Sequence, residues 1–202
     1  MPAAPTPGPG LETTFTTPKD EVITVRPMRA TDGDGLLEFF HRIPVEDRLY
    51  LREDVTDARV VQGWIEKLDY RRVLPLIALA GERIVGDATL HRSGHERPRV
   101  AQLRILIDPA YRNLGLGRFL LKRLVDIATN DDHELDTIAL EIVSDSEQAA
   151  QHAARALGFV EAHDYAHYIH FYSGKPHDLV VMELQVRPGA SADLAEPAQY
   201  MF

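Results

Sequence analysis

The sequence predicts one domain of mixed α/β class, either α/β or α+β with a mixed sheet. Three observations predict it. Strand-like and helix-like stretches alternate along the chain, yet some neighbouring strands are joined by turns too short for a helix. The 202 residues are 45% hydrophobic and 26% charged, an ordinary globular mix able to build its own core. No repeat or low-complexity linker interrupts residues 19–186. Residues 1–18 are rich in Pro, Ala, Thr and Gly and read as a flexible arm, and residues 187–202 as a C-terminal tail.

Glu21 to Arg26 alternates and is β-branched, so it is a first strand, stopped at Pro27. Thr31 or Asp32 can cap a helix running to about Arg42, with Leu36, Leu37, Phe39 and Phe40 inside. A second helix is expected from Asp57 to about Tyr70, burying Val60, Val61, Trp64, Ile65 and Leu68. Val73 to Ala80 is an apolar strand that turns at Gly81-Glu82-Arg83 into a returning strand, Ile84 to His91. A fourth strand spans Arg99 to Ile107. A glycine loop then opens into a helix ending near Asn130, with Leu120, Leu121, Leu124, Val125, Ile127 and Ala128 at helical spacing. Thr137 to Val143 is a strand, Ser146 to Leu157 an Ala-rich helix closed by Gly158, Phe159-Val160 the start of a strand, and Leu179 to Val186 the last strand.

Composition excludes several functions. With no cysteine there is no disulfide, thiolate metal site or cysteine nucleophile, which fits a reducing, cytoplasmic setting. No apolar run approaches about 18 residues, so no spanning helix or membrane partner is expected, and the first ten residues lack the features of a secretory signal. A net charge of −9 argues against nucleic acid and tolerates cationic partners such as amines or Lys-rich proteins. There is no Gly-x-Ser-x-Gly elbow and no His-Glu-x-x-His. His163, His167, His170 and His177 invite a metal reading, but no acidic residue sits at a helical ligand spacing, and no metal is expected.

The informative segment is Leu103 to Lys122. A buried strand enters a loop with Gly115 and Gly117, and the loop opens directly into a helix. Glycines let a backbone approach an anion, and the first helical turn leaves N–H groups unpartnered at its positive end. Together they suit a phosphate or pyrophosphate, with Arg112, Arg118, Lys122 and Arg123 around it. A dinucleotide turn would require a third glycine where Leu120 stands and would open a βαβ unit, whereas this turn follows hairpins. The Gly-Lys-Ser/Thr of a P-loop is absent.

Arg112-Asn113-Leu114-Gly115-Leu116-Gly117 resembles the Arg/Gln-x-x-Gly-x-Gly/Ala signature of the GNAT superfamily of acetyl-coenzyme A-dependent N-acetyltransferases. Val22 to Asp34 resembles its opening strand and turn, Ile105 to Pro109 its cofactor-pairing strand, and Ala156-Leu157-Gly158-Phe159 its helix end. The resemblance thus runs from about Glu21 to Val186. More loosely, Arg99 to Val143 is similar to the catalytic domain of bacterial protein-lysine acetyltransferases. It implies a mixed, mostly antiparallel sheet flanked by helices, with acetyl-CoA as co-substrate. The pantetheine would pair with the backbone of Ile105, Leu106 and Ile107, and the pyrophosphate would sit on the segment Arg112, Asn113, Leu114, Gly115, Leu116, Gly117 and Arg118. It implies transfer to an amine, either a small molecule or a protein lysine, which the absence of cysteine makes direct, and a homodimer is compatible with it.

Three residues depart from the family pattern. Gln102 stands where protein-lysine acetyltransferases of this type carry a Glu base, and Ala154 where many members carry a Tyr general acid; Glu147 replaces a frequent Asn. Acid and base must then come from elsewhere. The candidates are Glu141 at a strand end and Tyr165 and Tyr168 in the run from His163 to Tyr168. Each also has a plainer reading: Glu141 can pair with a cation, and the tyrosines can bury their rings. The alternative function is a non-catalytic acetyl-CoA-binding module of the same fold, acting as a sensor or interaction domain.

Overall fold

A computed structural model describes residues 10–48, 51, 53–92, 99–130, 135–143, 147–170 and 176–187, giving the backbone alone for 165–170, 176 and 177. The strands are β1 (Thr13–Thr16), β2 (Val22–Pro27), β3 (Val73–Ala80), β4 (Arg83–Arg92), β5 (Val100–Ile107), β6 (Thr137–Val143), β7 (Val160–His170) and β8 (Pro176–Gln185). The helices are α1 (Gly33–Arg42), α2 (Ala58–Glu66), α3 (Leu116–Asn130) and α4 (Gln148–Ala156). All eight strands form one sheet in the order β1-β2-β3-β4-β5-β6-β8-β7. Every pair is antiparallel except β5 with β6. That parallel pair requires a crossover, which α3 supplies.

The sheet separates two cores. One face packs Leu116, Leu120, Leu121, Leu124 and Ile127 of α3 and Ala154 of α4 against Leu76, Ala88, Leu90, Leu103 and Ile138. The other packs Leu36, Phe39 and Phe40 of α1 and Val61 of α2 against Ile77, Ile84 and Leu106. Alternation along β5 therefore decides what each residue does: Leu103 belongs to the α3 side and Leu106 to the α1/α2 side. The turn from β2 into α1 is fixed by Arg26, whose two guanidinium nitrogens each donate to Asp32 at 2.8 Å.

Two elements differ from the sequence expectation. Residues 13–16, inside the expected arm, form β1, an edge strand in register with β2 from Thr13↔Val25 to Thr16↔Val22. Phe15 anchors it against Phe119 of α3, ring centroids 5.1 Å apart. Helix α2 stops at Glu66 rather than near Tyr70, because Asp69 folds the chain back. Its carbonyl accepts from Arg72 at 2.9 Å and Val73 at 3.0 Å, and its carboxylate from the Arg71 amide at 3.1 Å. The expected tail lies outside the described residues beyond Arg187.

Candidate active site

Strand β5 pairs with β6 from Val100↔Thr137 to Leu103↔Leu140 and then leaves it. β6 continues along β8, through Glu141↔Val181 to Val143↔Leu179. β5 stays with β4 as far as Ile107↔Gly86. Arg104, Ile105, Leu106 and Ile107 thus keep a partner on one side and, among the described residues, present an open edge on the other. An open edge can take an extended ligand as an added strand.

The edge leads into the glycine loop, which a buried carboxylate holds. Asp108 is 4% exposed and accepts from Arg42 at the end of α1 and from Arg83 at the start of β4, both at 2.9 Å, and from the Ala110 amide at 3.0 Å. Burial would raise its carboxyl, but these donors together hold it below the usual carboxylate value. The loop turns through Asn113 (φ 60°) and Gly115 (φ 87°). The first helical bond of α3 runs from the Phe119 amide to the Gly115 carbonyl, 3.0 Å, which leaves the preceding amides for an outside acceptor. At Gly117 a side chain would meet only Ile107 Cγ1, at 3.6 Å. The fold itself does not demand glycine there, whereas a ligand lying on the backbone would.

The basic side chains near this turn are mostly engaged within the protein. Arg112 donates to Asp47 at 2.5 Å and to the Ile107 carbonyl at 3.2 Å. Lys122 pairs with Asp126 at 2.6 Å, and Arg123 donates to the Gly10 carbonyl at 2.7 Å. Arg118 is exposed and makes no such contact among the described residues. Backbone amides and Arg118 are therefore the groups free to hold an anion, a donor set that fits a pyrophosphate.

On the α1/α2 side of the same strands lies a cavity of about 850 Å³. Its floor is Asp87, Thr89 and His91 of β4 with Arg104 and Leu106 of β5. Its wall includes Phe40 and Trp64, whose rings meet edge-on at 5.9 Å. The Trp64 indole N–H donates to Glu53 at 2.7 Å. The open edge of β5 borders this floor, so an added strand and a cavity ligand would meet there.

The catalytic candidates are spread out. Glu141 is the first β6 residue past the β5 pairing, at the mouth of the fork, in one row with Val181 and His163 across β8 and β7. Tyr165 lies opposite Leu179 on β7, the far edge strand, and Tyr168 falls in an irregular stretch of that pairing; their side chains lie outside the described residues. Gln102 pairs with Ala139 and His91. Ala154 is buried in the α3/α4 core. Glu147 accepts from the Val143 amide at 2.8 Å, joining β6 to α4. Among the described residues no cluster of His, Cys, Asp or Glu could hold a metal ion. Sequence reasoning missed Asp87, Arg104 and Asp108. The Asp108-Pro109 pair is a visible capping signal, whereas Asp87 and Arg104 lie inside strands that read as ordinary alternation.

Residues 37–159 match the family model described as the acetyltransferase (GNAT) family. An uncharacterized protein of Mycobacterium leprae (strain TN) is 37% identical over 83 residues, 41% of this chain and 21% of that protein. The chain thus matches about a fifth of that relative's length. Among solved structures, the GNAT domain of S. lividans PAT superposes with a TM-score of 0.71 at 16% identity, covering 89% of this chain and 99% of that one. yncA, a putative acetyltransferase from Salmonella typhimurium with its cofactor acetyl-CoA, gives 0.69 at 21% identity, covering 86% and 99%. The structures share the fold, and no helix among the described residues is long and apolar enough to cross a membrane. With the family model matched over more than half of its length, the chain belongs to the acetyltransferase (GNAT) family.

Proposed function

We propose that the protein is an N-acetyltransferase that moves an acetyl group from acetyl-CoA directly to an amine. The observation that carries this reading is the open edge of Arg104–Ile107 running into a loop and first helical turn lined by backbone amides. Ile105, Leu106 and Ile107 would hold the pantetheine, and the segment from Arg112 to Arg118 the pyrophosphate. In this arrangement Arg112 acts by holding the loop to Asp47 and Ile107. A structure of the same fold holds acetyl-CoA, which supports the choice of cofactor. Acetyl-CoA supplies an activated acetyl group, and the chain positions an amine against it in the adjoining cavity. The amine nitrogen attacks the thioester carbonyl, the C–S bond breaks, and CoA leaves as the thiol. With no cysteine, an acetyl-cysteine intermediate is excluded. Glu141, Tyr165 and Tyr168 remain proposed sources of acid–base help, and a cytoplasmic setting is part of the proposal.

The test has two readouts. Acetyl-CoA raises the melting temperature, because a ligand that binds only the native state stabilises it. Free thiol is then released when an acceptor amine is added. A thermal shift with no thiol release across small amines and Lys-containing proteins would transfer the reading to a binding module, which Gln102 and Ala154 favour. Light scattering at micromolar concentration tests the homodimer.

A further inference from the structure

The cavity floor carries two opposite charges that do not meet. Asp87 lies opposite Leu106, and Thr89 opposite Arg104, so Asp87 and Arg104 are diagonal neighbours on one face of the β4–β5 pair. Diagonal positions are about 7–8 Å apart, within reach of an arginine side chain. Yet among the described residues neither Asp87 nor Arg104 makes a hydrogen bond or ion pair, with each other or with anything else. Several other cavity charges are engaged, and Lys67 and Arg72 lie exposed at its rim. Arg59 pairs with Asp57 at 2.6 Å, Glu53 accepts from Trp64, and Arg92 donates to the Tyr70 and Arg71 carbonyls at 3.0 and 3.3 Å. Two uncompensated charges of opposite sign, facing one cavity beside the open edge of β5, are the recognition pattern for a zwitterion.

Resting on the acetyltransferase reading, we propose that the acceptor is an amino-acid-like compound: Asp87 takes the proton of its ammonium, and Arg104 holds its carboxylate. Its carbon portion packs toward Phe40 and Trp64. Proton transfer to Asp87, directly or through one water, converts R–NH3⁺ to R–NH2 and the carboxylate to the acid. The amine nitrogen bonds to the acetyl carbon, the C–S bond breaks with its electrons on sulfur, and a second proton leaves nitrogen for the thiolate. Asp87 then returns its proton to water. The products are R–NH–COCH3, CoA thiol and one released proton. Asp87 thus takes the place of the carboxylate absent at Gln102.

Asp87 is poised for this role because burial pushes its carboxyl up to about 7. The other charged groups facing the cavity are His91 and Arg92 on β4, Arg104 on β5, and Glu53, Asp57, Arg59, Lys67, Asp69 and Arg72 along α2 and its flanking segments; α1 and β3 contribute apolar side chains. None of these offsets the burial.

The test measures thiol release with acetyl-CoA for a panel of amino acids, the matching amino-acid amides, and simple alkylamines. The expected result is turnover of amino acids with at least a tenfold lower KM than their amides. Arg104→Gln removes that preference, and Asp87→Asn lowers kcat on the order of 100-fold and abolishes the limb of kcat/KM that rises through pH 7. His91→Gln keeps that limb. The acetyl-CoA thermal shift, measured in every variant, reports folding and an intact cofactor site. Equal use of acids and amides, an Asp87→Asn variant with unchanged kcat and pH profile, or loss of the limb in His91→Gln overturns the proposal while leaving the enzyme in place. Absence of turnover with every acceptor, with the thermal shift retained, overturns the enzyme reading and this one together.

Discussion

Asp108 is buried and Asp87 half-buried on the cavity floor, and the two carry opposite pH signatures. Asp108 is surrounded by donors and titrates below an ordinary carboxyl. Its contribution to stability is therefore present above the unfolded carboxylate range and is lost as pH falls through the lowered folded value. Asp108→Asn should destabilise by about 1–3 kcal/mol at pH 7, less than breaking a fully buried pair, because Arg42 and Arg83 are themselves partly exposed. Urea unfolding should show the loss shrinking as the wild type is acidified. Asp87 has no donor among the described residues, and burial raises it from 3.8 to about 7. The unfolded chain releases that proton near 4 and the folded chain holds it to about 7, so this residue makes stability fall as pH rises between those values. Three pKa units correspond to a ceiling of about 4 kcal/mol, lowered by water entering the cavity. Asp87→Asn should thus be more stable than wild type by about 1–3 kcal/mol at pH 8, with the gain gone near pH 4. Identical pH profiles for the two proteins would show that the carboxyl is not buried as described.

At the scale of elements, α3 and its entry loop were legible because their signals are local. Glycines at 115 and 117, the arginine at 112 and the apolar stripe from Leu116 to Ala128 all lie within one short segment. The fork between β5 and β6 was not legible, since its cause is a difference in pairing length between strands that each look complete. β1 was hidden for a similar reason: four residues in a Thr- and Pro-rich stretch become a strand only when β2 and Phe119 are beside them. The loop carries a separable prediction. Gly115, at φ 87°, is conformationally required, and Gly115→Ala should cost about 1–2 kcal/mol of stability. Gly117 is not so constrained, so Gly117→Asp should leave the unliganded melting temperature within a few degrees while abolishing the shift given by acetyl-CoA, because a carboxylate would then face the pyrophosphate. A retained shift in Gly117→Asp places the cofactor elsewhere.

For the molecule as a whole, the two faces of the sheet divide the work. On the proposed reading, the α3 face offers backbone amides to an anion, the α1/α2 face offers a cavity to an acceptor, and β5 touches both. The cavity draws on α1, α2, β3, β4 and β5, from Met28 to Leu106, which is why no single window of sequence displays it. What ties the cofactor face to the rest of the sheet includes the N-terminal segment. Phe15 packs on Phe119 and lies within van der Waals reach of any side chain placed at Gly115, and the Gly10 carbonyl accepts from Arg123 one turn further along α3. The Tyr111 hydroxyl donates to Glu21 at 3.1 Å, joining the loop to the segment just before β2. Phe15 is thus a strut between the sheet edge and the first turn of α3. Phe15→Ala should remove about 1–2 kcal/mol of packing, less than a fully buried ring because Phe15 is only partly covered. In a chain of this size that lowers the melting temperature by roughly 2–8 °C. The first turn of α3 loses its backing at the same time, so acetyl-CoA should bind more weakly, by about threefold to tenfold in titration calorimetry. Phe15→Leu, which keeps an apolar contact, should recover most of both. If Phe15→Ala loses stability but binds acetyl-CoA as tightly as wild type, the N-terminal strand supports the sheet alone, and the phosphate turn is held by Asp108 and its arginines without it.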